Sequence, residues 1–146
     1  MFEGRALLEP RSARSPAARA TPTDIARLQS LIALERAALR EGDPGRALRL
    51  SGQFHIEIAR VADQDTICGF ITQLAARSSL IIALYWKRRN ALCEYPAHHA
   101  LLEAISEHDG DAAEELIKSH LLDLLASLDL RDVVVVPASL KATLAL

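Results

Sequence analysis

HHALLEAISEHDGDAAEELIKSHL, residues 98–121, reads as two helices hinged on a polar turn. Leu101, Leu102 and Ile105 follow His98 at helical intervals before Asp109-Gly110 interrupts the pattern. Beyond the turn, Ala113, Leu116, Ile117, His120, Leu121 and Leu124 recur on one side of a second helix running from Asp111 to about Leu128. An α-helix rises about 1.5 Å per residue, so the chain climbs roughly 15 Å from His98 to the turn and descends about 13 Å to His120. An antiparallel pair therefore sets two apolar-face histidines level with each other. A buried imidazole without a partner costs about 1–3 kcal/mol, so something polar is expected within the helical core: a metal, a ligand, or the histidines themselves.

Upstream, the same periodicity continues. Thr21-Pro22-Thr23-Asp24 supplies an N-cap, a proline at the first helical position and an acid three residues on. The helix that follows carries Ile25, Leu28, Leu31, Ile32 and Leu39, and Gly42-Asp43-Pro44-Gly45 ends it. From about Arg46 to Ala62, Leu48, Ser51, His55, Ile58, Ala59 and Ala62 share one side, which turns His55 toward the core. After Asp63-Gln64-Asp65, a long apolar helix from about Thr66 to Lys87, with Ile67, Phe70, Ile71, Leu74, Ile81 and Tyr85, is expected to be central and the most buried. Pro10 and Pro16 predict a short or broken helix over residues 2–20, because an internal proline removes a hydrogen bond and crowds the preceding turn. Residues 88–96 read as a looser connection. Val133–Val136 is too short and isolated to found a sheet and is read as a tail, or as a sticky edge against a partner.

Length and composition narrow the function classes. The 146 residues make one domain, half of them apolar and only 4% aromatic, which suits packed helices. A formal charge of −2 gives no general attraction to phosphate or to a membrane surface. Cys68 and Cys93 have neither the number nor the spacing of a zinc site or a disulfide framework. No apolar run is expected to reach the ~20 residues of a membrane span, and no secretory signal is visible, so a soluble cytoplasmic protein is expected.

His55, His98 and His120 come from three helices, and three neutral imidazoles suit Zn, Ni, Fe or Cu. Ser51 lies one turn before His55 on the same face, where its hydroxyl can support a ligand or a water. The plainer reading of any one inward histidine is a satisfied core residue. His99 is rotated about 100° from His98 and His108 sits in a polar turn, so both are expected to be solvated. A three-histidine metal with an open position could also activate water for hydrolysis, but Glu57 points away from His55 and no convincing general base accompanies the cluster. A non-enzymatic role is therefore expected.

Several stretches together resemble a known family. Phe54-His55-x-x-Ile58-Ala59, the run Arg77-Ser78-Ser79-Leu80-Ile81-Ile82-Ala83-Leu84-Tyr85, His98-x-x-Leu101-Leu102-Glu103-Ala104-Ile105, Asp111-Ala112-Ala113 and His120-Leu121 are similar to the FCD domain. This is the effector-binding half of FadR-type regulators in the GntR superfamily, and Arg5-x-x-Leu8-Glu9 looks like its opening. The resemblance implies an all-α antiparallel bundle of six or seven helices over residues 1–131, with 132–146 a poorly ordered tail. It also implies a homodimer whose pocket holds a divalent metal such as Zn or Ni and a small organic-acid effector. In metal-binding members an aspartate one turn before the first histidine joins the three histidines; here Ser51 stands in that place. A weak neutral donor thus replaces an anionic one, which predicts weaker metal affinity or direct anion binding by the histidines. Arg77 shares a helical face with Phe70, Leu74 and Ile81 and is a candidate to hold the effector carboxylate, the plainer reading being that it reaches solvent. The winged helix-turn-helix of such regulators is not recognisable in these residues, so operator binding is expected to belong to a domain outside them. A dimerisation module with a vestigial pocket is the remaining alternative.

Overall fold

Helix boundaries fall where side chains can satisfy the first free N–H groups. In the computed structural model, which describes residues 1–85 and 95–128, α1 spans Phe2–Arg19, α2 Pro22–Arg40, α3 Pro44–Val61, α4 Asp65–Tyr85, α5 Tyr95–Ser106 and α6 Gly110–Ala126. Thr21 and Asp24 close a reciprocal capping box at the start of α2: the Asp24 N–H donates to Thr21 Oγ1 (3.2 Å) and the Thr21 N–H to Asp24 Oδ2 (2.9 Å). Asp43 accepts from the Arg46 N–H (2.8 Å) ahead of α3, with Pro44 at the first helical position, and Asp109 accepts from the Ala112 N–H (2.9 Å) ahead of α6. Gly42, at φ 72°, supplies the left-handed residue that turns the chain out of α2.

The result is an all-α antiparallel bundle, as the periodicity predicts. Its main core gathers Leu28 and Ile32 of α2, Phe54 and Ile58 of α3, Leu101 and Ile105 of α5, and Ile117 and Leu121 of α6, with Ala13 and Ala17 of α1 against them. Small residues there let α1 lie close along α6. At Gly110 a Cβ would stand 3.2 Å from Arg14 Cγ and 3.3 Å from its carbonyl oxygen, so the first turn of α6 needs its glycine.

Three expectations are corrected. The first helix is not broken: α1 runs through Pro10 and Pro16, both buried, because its docked face along α6 outweighs two missing N–H groups. Nor is α4 central. Among the described residues it packs chiefly on α3 and α1, shares through Ile82 a small cluster with Leu48 and Leu124, contributes no residue to the main core, and leaves Phe70 (53%), Leu80 (63%) and Leu84 (56%) exposed. With a mean hydropathy of 1.6 over 18 residues, α4 is by length and composition apolar enough to cross a bilayer, contrary to the expectation that no run reaches that size. Apolarity on a helix facing one neighbour on each side has been mistaken for burial. Cys93, the looser stretch at 88–94 and Val133–Val136 lie outside the described residues.

Candidate metal centre

The three histidines arrive from α3, α5 and α6 and meet. His55 and His98 are 2% and 0% exposed, His120 is 8% exposed, and a ring nitrogen from each lies within 4.8 Å of the other two. His55 and His120 stack with ring centroids 5.3 Å apart at 11°, while His98 stands edge-on to both, at 5.2 Å and 4.9 Å. Phe54 closes the apolar side of the cluster against the His98 ring at 4.5 Å.

Two carboxylates that sequence reading missed stand behind the imidazoles. Glu35 of α2 accepts from His98 Nδ1 at 2.9 Å, and Glu9 of α1 lies 2.7 Å from His55 Nδ1. The Glu9 approach is short but off the N–H axis, so it is charge pairing more than an aligned hydrogen bond. Arg5, one turn before Glu9, grips that carboxylate with Nε at 2.5 Å and donates through Nη1 to Ser78 Oγ at 3.0 Å, which ties α1 to α4. Burial alone would raise the Glu9 carboxyl, but the neighbouring His55 and Arg5 outweigh it and hold the group at about 2. Burial pushes the His55 imidazole below its ordinary value; Glu9 opposes this, and Arg5 and His98 reinforce it. With the ring neutral, Arg5 is the cation that keeps Glu9 ionised.

These contacts decide where the ring protons sit. A carboxylate accepts, so the Nδ1 of His98 carries the hydrogen and its Nε2 presents a lone pair, while at His55 the Glu9 charge beside Nδ1 favours the same arrangement without an aligned hydrogen bond. Those two Nε2 atoms face each other at 3.3 Å. Two imidazole nitrogens this close share either a hydrogen, one donating to the other, or a cation. Tetrahedral Zn–N bonds of about 2.0–2.1 Å set adjacent ligand nitrogens roughly 3.3–3.4 Å apart, so the pair already has the separation that a shared metal requires. His120 completes a set of three neutral nitrogen donors, and the residues present fit a divalent transition metal.

The other candidate residues divide. Ser51 is buried one helical turn before His55, on the face that sequence reading assigns to it. Arg77 lies on the exposed side of α4 and makes no hydrogen bond or ion pair among the described residues; nothing joins it to the histidines. Glu57 is buried but held by Arg27 and Arg60, each at 2.6 Å, and takes no part in the cluster. His99 and His108 are exposed, and His108 Nδ1 is tied to the Ala17 carbonyl at 2.7 Å.

Comparison with known proteins agrees with this architecture. The profile of the FCD domain matches residues 1–123. Among solved structures, Streptococcus agalactiae GntR superimposes with a TM-score of 0.74 at 27% identity, over 86% of this chain and 56% of that one. E. coli McbR/YncC superimposes with a TM-score of 0.75 at 21% identity, over 84% of this chain and 62% of that one, a likeness of fold. The chain thus spans less than two thirds of the length of either structure. No curated protein matches it significantly.

Proposed function

Because the chain belongs to the FCD domain family, with the effector-binding and regulatory role that GntR-type regulators give that domain, we propose that it senses a small organic acid at a metal held by His55, His98 and His120. The single observation carrying the metal is the convergence of one ring nitrogen from each of three buried histidines within 4.8 Å, with the Nε2 atoms of His55 and His98 3.3 Å apart. Bound there, Zn²⁺ or Ni²⁺ supplies Lewis-acid attraction for a carboxylate oxygen. Ser51 offers its hydroxyl to the acid or to a water beside it. The three rings close the floor of the site, and Phe54 excludes water from the His98 side. DNA is reached through a domain other than these residues.

Calorimetry with Zn²⁺ and Ni²⁺ on chelator-treated protein tests this reading, followed by melting curves with small mono- and dicarboxylates. A metal present at 100 times its Kd should stabilise the fold by about 2.7 kcal/mol, and an effector should add to that shift. A melting temperature unmoved by either metal would remove the basis of the site.

The partner of α4 in this reading is a second copy of the chain. Phe70, Leu80 and Leu84 lie along one side of a helix whose only acid is Asp65 and whose only base is Arg77, so two such faces can meet without opposing charged rows. Arg77 is assigned to this interface. Light scattering should give the mass of two chains, and Leu80→Glu should give one chain with unchanged helix content. A variant that stays dimeric would place the interface elsewhere.

A further inference from the structure

Glu9 and Glu35 are nearly inaccessible to solvent, at 1% and 2% exposure, and each spends its carboxylate on a histidine. Neither is placed to be a ligand, since each addresses Nδ1, the ring nitrogen on the side away from the facing Nε2 pair. Their surroundings differ. Glu9 is neutralised by Arg5, whereas among the described residues no lysine or arginine lies within ion-pair distance of Glu35.

We infer that Glu9 and Glu35 are positioning residues for a divalent cation, Glu35 locking the His98 imidazole with Nε2 forward through its hydrogen bond at Nδ1, Glu9 biasing His55 the same way by its charge, and both supplying from behind the negative charge that three neutral ligands lack. The inference rests on the three-histidine metal reading and goes beyond it by naming what sets the affinity. Burying a divalent cation among neutral donors is costly, because the water it leaves is not replaced by opposite charge. A carboxylate hydrogen-bonded to the far nitrogen lowers that cost in two ways: it fixes the tautomer and makes the near nitrogen a stronger base. Ser51, uncharged and one turn from His55, contributes neither effect, so the anionic share falls to these two glutamates. The asymmetry is specific: Glu35, which has no lysine or arginine partner among the described residues, carries more of it than Glu9.

Zinc affinity of the full chain, measured by competition with a chromogenic chelator, tests the inference, with the visible absorption of the Co²⁺ form as a second readout. Glu35→Gln keeps an acceptor for His98 but removes the charge, and should weaken zinc binding by about 10–100-fold. Glu9→Gln should weaken it less. Both should alter the Co²⁺ spectrum, while Glu103→Gln, on the exposed side of α5, should change nothing. Gln variants that melt like the parent and bind zinc as tightly would overturn the inference and leave the three-histidine site standing. A parent chain that fails to bind zinc would overturn both. Should the variants not fold, ring ¹⁵N spectra of the unaltered metal-free chain decide: Nδ1–H on His55 and His98 supports the inference, and Nε2–H on either refutes it.

Discussion

Replacing His98 by alanine should abolish metal-dependent stabilisation and also weaken the metal-free fold. The ring is fully buried and has three kinds of neighbour: Glu35 at Nδ1, His55 at Nε2, and the faces of Phe54 and His120. Truncation removes one of three ligands, a larger loss than the roughly 10–100-fold that a disturbed supporting contact costs. It also strands Glu35 in the core. Removing one partner of a buried ionic pair costs about 3–5 kcal/mol when the other charge is left behind, although with a neutral His98 the smaller figure of about 1–3 kcal/mol for an unsatisfied buried group is the better guide. Urea unfolding with and without Zn²⁺ separates the effects. The metal-free midpoint should fall, and the zinc-bound and zinc-free curves should coincide; a zinc-induced shift that persists in His98→Ala would mean that the cation sits elsewhere.

Phe54→Ala should be the most damaging apolar substitution. Phe54 is wholly buried, precedes His55 on α3, and presses its ring on His98 of α5, so it joins the hydrophobic core to the polar centre. Large-to-small changes of buried aromatics cost about 3–5 kcal/mol, which for a chain of this length lowers the melting temperature by roughly 6–20 °C. Part of the loss should return with zinc, because the histidines remain. A melting temperature within a degree or two of the parent would show that neighbouring side chains collapse into the space.

How much of this was legible beforehand depended on whether the deciding force was local. The convergence of His55, His98 and His120 follows from helical period, rise per residue and the Asp109-Gly110 turn, all of which sequence carries. The caps at Thr21 and Asp109 were equally readable. Glu9 and Glu35 were not, because a charged residue in a helix ordinarily faces water. A signal existed for each: Arg5 and Glu9 are four apart, the spacing of a helical ion pair, and Glu35 sits on the stripe of Leu28, Ile32 and Leu39, where an acid must be buried with a partner. The uninterrupted course of α1 was hidden for another reason. The penalty of Pro10 and Pro16 is written in the sequence next to them, whereas the compensating contact with α6 is about a hundred residues away. Hydropathy could not place α4 either, since an apolar face reads alike whether it meets the core or another chain.

One feature of the bundle ties sensing to folding. The rings and the two carboxylates behind them belong to five of the six described helices, from residue 9 to residue 120, so no single helix or helical hairpin contains the cluster. The cluster is complete only when all five helices are docked, and loosening the first of them withdraws Glu9 from behind His55. Occupancy works in the opposite direction, as a rivet through the middle of the protein that binds early and late parts of the polypeptide to a single point.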